Sequence, residues 1–290
     1  MQRILFWLVY PLLLGISKLP FPIFYKVSDL VCFLVYRVLG YRKKTVRYNL
    51  DMAFPNISPE EKKRIEKKFY RHMCDMFLEM IKSISITEAE MRKRFIFKNP
   101  ELLKSFEDNN ESIIIMTGHY ASYEWSSSMQ FFMDNTGYGV YKKIKNDHFD
   151  ALIRRTRERW NNELLQNKIA PKAMARHQAE GIKATYAFFA DQSPKASKNN
   201  HFSLFFDHKV PFFTGTERIS KNLNIPLVFM NVQKKGRGFY EASFEVMSTA
   251  PSSVPDYELT DLFAKKLEAQ IKNAPEYYLW THKRFKHVEI

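Results

Sequence analysis

Three short apolar runs constrain this chain more than any other feature of it. Residues 112–117 (Ser-Ile-Ile-Ile-Met-Thr), 186–190 and 226–232 string aliphatic and aromatic side chains together with almost no polar residue between them. A strand with one face in water alternates apolar and polar positions, so an unbroken run of this length reads as a strand covered on both faces. Helical segments at 150–165 and 173–180 separate the runs. Strands alternating with helices predict an α/β fold built on a mostly parallel, helix-covered sheet. Residues 239–246 alternate and read as an edge strand. Ser58-Pro59-Glu60-Glu61 is a helix start, with proline at the first helical position and a capping-box glutamate. Ile65, Phe69, Met73, Met76, Phe77 and Met80 then recur at helical spacing, opposite a basic face that includes Lys62, Lys63, Arg64, Lys67, Lys68 and Arg71. A late amphipathic helix carries Leu259, Leu262, Phe263, Leu267 and Ile271 and ends by Pro275. There is no internal repeat.

The first forty residues are of another kind. Residues 4–16 are almost wholly apolar, and a second apolar stretch at 21–36 is interrupted only by Lys26 and Asp29. Thirteen residues fall short of the ~20 that span a bilayer as a helix. No small-x-small cleavage site follows, which argues against a signal peptide. Arg37, Arg42, Lys43, Lys44 and Arg47 come next, where cations meet anionic lipid on the cytoplasmic side. The aromatics Phe6, Trp7, Tyr10, Phe21, Phe24 and Tyr25 suit an interfacial belt. The expectation is an N-terminal membrane anchor at 1–40, spanning or interfacial, and a cytoplasmic domain at 41–290; a buried core hairpin is the rival reading.

The formal charge is +14, which points to an anionic partner. Nucleic acid ranks low, because the cations follow apolar segments and no nucleic-acid motif is present. Cys32 and Cys74 match no metal spacing and read as reduced thiols. His201 and His208 lie in a loop without companion cysteines or spaced carboxylates, so no metal is implied.

The chemistry starts where the first buried run ends. Gly118-His119-Tyr120-Ala121-Ser122-Tyr123-Glu124 follows it directly, the position at which α/β sheets hold their ligands. His119 with Glu124 five residues on, in the first turns of the following helix, fits a general base and its orienter: the carboxylate accepts one ring N–H and stabilises the imidazolium. A structural histidine beside an unrelated glutamate fits the pair equally well. No Gly-x-Ser-x-Gly elbow is present, so the histidine would activate a substrate hydroxyl directly.

Several ordered segments resemble one family. The residues 42–55, Arg-Lys-Lys-Thr-Val-Arg-Tyr-Asn-Leu-Asp-Met-Ala-Phe-Pro, are similar to the basic stretch and Asn-Leu-x-x-Ala-Phe-Pro of the bacterial lipid A biosynthesis acyltransferases. These belong to the wider lysophospholipid acyltransferase group marked by His-x4-Asp/Glu, here His119 to Glu124. Tyr141-Lys142-Lys143-Ile144-Lys145-Asn146 resembles the family's Tyr-Arg-Pro-x-x-Asn block, and Asp150 and Arg157 fall on its later Asp and Arg. Ala190-Asp191-Gln192-Ser193-Pro194 looks like its Asp-Gln motif, followed by Phe205-Phe206. Residues 275–286 are similar to its closing Pro-Glu-x-Tyr-x-Trp-x-His-Arg-Arg-Phe-Lys. The departures are Asp207 for a glycine, Thr214-Gly215-Thr216-Glu217-Arg218-Ile219 for Thr-Gly-x-Ala-Arg-Leu, and Lys142-Lys143 for Arg-Pro.

The resemblance implies a glycerolipid acyltransferase-like fold and acyl transfer at the inner membrane, with no cofactor. His119 would deprotonate a hydroxyl of a lipid A precursor, and the alkoxide would attack the thioester of an acyl-acyl carrier protein. Arg157, then Arg154, are candidates to stabilise the oxyanion, against the alternative of a surface helix charge. Asn146, Asp191 and Gln192 are substrate-binding candidates, Asp191 being equally readable as a strand-terminal cap. Other glycolipid, aminolipid or lysophospholipid acceptors stay open, as does a non-catalytic basic scaffold, which would tolerate loss of His119.

Overall fold

The computed structural model describes residues 2–197 and 199–288. Seven strands form one sheet in the order β1 (Phe95–Phe97), β9 (Phe239–Ser248), β8 (Leu227–Gly236), β2 (Ile113–Thr117), β5 (Ala184–Phe189), β3 (Thr136–Tyr141), β4 (Asn162–Gln166). Every neighbouring pair is parallel except β8 with β9. All five residues of β2, at the centre, are buried, as the unbroken apolar run requires. A separate antiparallel hairpin pairs β6 (His201–Phe205) with β7 (His208–Phe212).

Around the sheet lie α1 (Gln2–Lys18), α2 (Phe21–Phe33), α3 (Lys43–Ala53), α4 (Pro59–Lys82), α5 (Glu88–Arg94), α6 (Pro100–Asp108), α7 (Asp147–Arg157), α8 (Ala170–Ala179), α9 (Gly215–Leu223) and α10 (Glu258–Asn273). Helix α4 starts as its sequence dictates: the Ser58 side chain accepts the Glu61 N–H and Pro59 occupies the first turn. Helix α10 covers the sheet through Phe263, whose ring meets Phe229 at 6.0 Å. A 3₁₀ segment, Tyr123–Phe132, is held by the fully buried Trp125, whose indole N–H donates to the Glu79 carbonyl and lies against Tyr240.

Helices α1 and α2 pack on α4 with one face each. Ser28 donates to Asp75 at 2.7 Å, Tyr25 to Glu79 at 2.8 Å, and Phe24 is fully buried. Their other faces stay open: more than half of the exposed large apolar side chains precede residue 42, Trp7, Leu8, Leu30 and Leu39 among them. Among the described residues no helix is long and apolar enough to cross a membrane. At 17 and 13 residues, α1 and α2 would be about 25 and 20 Å long against a hydrocarbon core of about 30 Å.

Four expectations need correction. The helix expected over 150–165 ends at Arg157, because Trp160 and Asn161 adopt left-handed backbone conformations and release the chain into β4. The strand at 239–246 is not an edge: the three-residue β1 pairs outside it, too short to leave a pattern in the sequence. His201 and His208 stand on a hairpin rather than in a loop, bonded to Asp261 and to the Met52 carbonyl. Glu124 begins a 3₁₀ segment rather than an α-helix.

Candidate active site

Strands β2 and β5 are parallel neighbours in which Thr117 stands opposite Phe189. Each chain continues two residues beyond that rung and presents a polar side chain, His119 from one and Asp191 from the other. Strand register therefore brings together residues 72 apart in sequence: His119 Nδ1 lies 2.6 Å from Asp191 Oδ1. Asp191 is 2% exposed and His119 18%. Burial works against the imidazolium, but the charge and hydrogen bond of Asp191 outweigh it and hold His119 above the ordinary imidazole range. Burial likewise opposes the Asp191 carboxylate; His119 and backbone N–H groups overcome it and keep the carboxyl below its usual range. With Nδ1 engaged by Asp191, the neutral ring offers its Nε2 lone pair to a substrate. Tyr123 meets the ring edge-on at 4.9 Å and Phe189 lies at 5.0 Å, so two aromatic rings flank the imidazole.

The carboxylate on His119 is thus Asp191, where spacing alone pointed to Glu124. Glu124 instead receives Arg157 in a bidentate pair, with Nε donating at 2.8 Å and Nη2 to the second oxygen. It is still near enough for its charge to favour the imidazolium. The Arg157 guanidinium keeps Nη1 free of that pair, and such a donor can face a developing oxyanion.

The loop bearing His119 is clamped from the C-terminal side. The Leu279 N–H donates to the His119 carbonyl at 3.1 Å and the Ala121 N–H to the Tyr277 carbonyl at 2.9 Å. Ala121 sits at φ 52°, a left-handed conformation unfavourable for a residue with a Cβ and held here by that bond. Gly118 is required by close approach: a Cβ there would stand 2.6 Å from Leu267 Cδ1 of α10. The clamp is in turn pinned by α3. Asn49, fully buried, donates from Nδ2 to the Trp280 and His282 carbonyls at 2.7 and 2.6 Å, and Arg42 reaches the Thr281 carbonyl.

The chain matches the family of bacterial lipid A biosynthesis acyltransferases over residues 1–287. The chain belongs to that family. Relatives of this acyltransferase include the lipid A biosynthesis lauroyltransferase of Escherichia coli K12, 26% identical across 97% of this chain and 90% of its own length. The palmitoleoyltransferase of the same organism is 23% identical across 93% and 87%. A solved 1-acyl-sn-glycerophosphate acyltransferase from Thermotoga maritima aligns at TM-score 0.38 and 11% identity over 86% of this chain and 97% of its own, too loose a match to bear on the fold.

The remaining candidates of the acyltransferase fall at varied distances from the chemistry. Asn146 caps α7, its side chain accepting the His148 and Phe149 N–H groups. Arg154 is bonded to Glu158 at 2.6 Å and reaches the Tyr141 hydroxyl. Gln192 adjoins Asp191 and is half-buried. Two of the sequence departures have local structural explanations. Asp207 occupies a left-handed position in the β6–β7 turn, which aspartate tolerates, and buried Glu217 accepts the Thr260 N–H at the start of α10. Arg284, within the segment 275–286, carries no signal in the sequence for a role of its own. It is fully buried, donates to Ser193 Oγ and the Pro211 carbonyl, stacks on Phe212 at 3.9 Å, and is pushed down to about 10 by burial. The Tyr278 and Asp191 side chains oppose that shift.

Proposed function

We propose that the chain transfers a fatty acyl group from an acyl-acyl carrier protein to a hydroxyl of a lipid A precursor, at the cytoplasmic face of the inner membrane. The observation that carries the reading is the buried His119–Asp191 pair at the tips of adjacent strands. His119 Nε2 takes the hydroxyl proton while Asp191 fixes the tautomer and balances the imidazolium. The alkoxide attacks the thioester carbonyl and forms a tetrahedral oxyanion, faced by Arg157, which Glu124 orients. As the carbonyl reforms, the C–S bond breaks and the carrier thiolate leaves with the proton from the imidazolium. Asn146 supports this site by capping the helix that carries Arg157, and Arg154 and Gln192 stand at its margin as substrate contacts. The exposed apolar faces of α1 and α2, with Arg37, Lys43 and Lys44 beside them, support an anchor at 1–40 that lies in the membrane interface, with 41–290 in the cytoplasm.

The donor is tested with purified protein and a lipid A precursor. Acyl-carrier thioester is expected to outperform acyl-coenzyme A at equal concentration, and its advantage to shrink as salt screens an acidic carrier from a basic surface. Preference for the coenzyme A thioester overturns the donor assignment.

A further inference from the structure

Beside α4 lies a cleft of about 260 Å³ lined by four cations, Lys68, Arg71, Lys234 and Arg237, and two carboxylates, Asp75 and Glu276. Its inner wall is His72 and Tyr277, and both also line the narrow apolar seam that ends at His119. The carboxylates are already engaged. Arg237 binds Asp75 through Nε and Nη2 at 2.9 and 2.7 Å, and Glu276 pairs with Lys68 at 3.2 Å. Two cations are held without a short carboxylate contact. Among the described residues Arg71 pairs with Asp29, at 3.4 Å. Lys234, 9% exposed, donates to His72 Nδ1 at 3.1 Å and stands 3.8 Å from Asp75.

His72 lies between the cleft and the seam at His119. Burial and the neighbouring Lys234 charge hold its imidazole well below the ordinary range. The ring is therefore neutral, accepts from Lys234 at Nδ1 and carries its proton on Nε2. That nitrogen is buried and directed at the backbone of Ala121, whose interaction opposes part of the shift. A guanidinium and an ammonium beside one cavity suit a tetrahedral oxyanion of two charges better than a carboxylate. The cleft also adjoins α2: Arg237 bonds Asp29 at 2.7 Å and the Tyr25 carbonyl at 3.2 Å. Helix α2 exposes Leu30 and Phe33, the face assigned above to the bilayer.

We infer that this cleft binds a lipid phosphate, holding the acceptor beside the His72 and Tyr277 side chains that border both the cleft and the seam at His119. The inference rests on the acyl-transfer reading above and adds to it a place for the acceptor's charge. Bulk phospholipid offers the same chemistry, and the experiment separates the two.

Soluble dihexanoyl phosphatidic acid is titrated into wild-type protein, Lys234→Met and Arg71→Gln, and followed by ³¹P NMR, with dihexanoyl phosphatidylcholine as control. Loss of one charge-assisted contact is expected to weaken phosphatidic acid binding about 10- to 100-fold, and to leave the control unchanged. Arg71 lies at the surface, so its variant keeps the test valid if Lys234→Met fails to fold. In acyl-transfer assays the same variants should raise KM for the acceptor by a similar factor, with kcat nearly unchanged. Weaker binding to phosphatidylglycerol vesicles at unchanged acceptor KM assigns the phosphate to bulk lipid. Phosphatidic acid binding that is absent, or indifferent to both substitutions in folded protein, overturns the inference while acyl transfer stands. Binding that responds to the substitutions in a protein without acyl transfer leaves the cleft and overturns the function.

Discussion

Two carboxylates flank the candidate base, and they are held in opposite ways. Asp191 lies at the end of β5, its position set by a hydrogen-bonded ladder shared with β2, and it is almost wholly out of water. Glu124 stands in the first turn of a 3₁₀ segment and is held by Arg157, which is 30% exposed at the end of α7. The first arrangement fixes an imidazole tautomer; the second places a cation, with a carboxylate to orient it. The contrast teaches that the residue nearest His119 in sequence is not its partner in space. Register between neighbouring strands decides that pairing.

Substitution can break the comparison. The largest effect is expected from His119→Ala, which removes the base both carboxylates serve: turnover at saturating donor should fall about 10²–10⁴-fold in a protein that still melts normally. Near-normal turnover in that variant would sink the mechanism and favour a scaffold.

Next in size is the comparison itself. Asp191→Asn should cost more activity than Glu124→Gln, and only the former should move the pH profile strongly. A base must be neutral to act, so activity rises with pH through the His119 titration. Asp191 raises that titration above the ordinary imidazole range; without its charge, the acid limb of kcat/KM should shift to lower pH while the plateau drops. Glu124 is a weaker influence on His119, and its loss should lower kcat by about tenfold through Arg157. Equal shifts from the two variants would mean that both carboxylates act on the ring directly.

The smallest effect concerns the scaffold. Gly118→Ala forces a methyl against Leu267 and should cost about 1–3 kcal/mol of stability, read as a lower melting temperature. Adding Leu267→Val should recover part of it, and no loss at all would show that α10 yields to the loop freely.

Much of this was legible in the sequence, for a physical reason. Burial on both faces leaves an unbroken apolar run, so β2, β5 and β8 announce themselves. The others do not. Strand β3 carries Gly137 and Gly139, where a Cβ would press on Gln130, Asn162 or Leu164, and β4 (Asn-Glu-Leu-Leu-Gln) lies at the sheet's edge without a clear period. At the site, His119 was legible from its place after a buried strand, and Asp191 from the same logic. Their bond was not, because it depends on which strands become neighbours. Asn49 is a sharper case: the motif was visible, but its work of holding two carbonyls of the closing segment depends on residues more than 200 positions away.

That closing segment has a consequence for how the molecule comes into being. Synthesis runs in chain order, so the helices with open apolar faces leave the ribosome well before the stretch from Tyr277 to His282, which ties down the loop of His119. A half-made chain can thus already carry its greasiest surface while it lacks a fastened catalytic loop. The loop of His119 can be fastened only once that later stretch has emerged, after the sticky helices have had time to find their resting place.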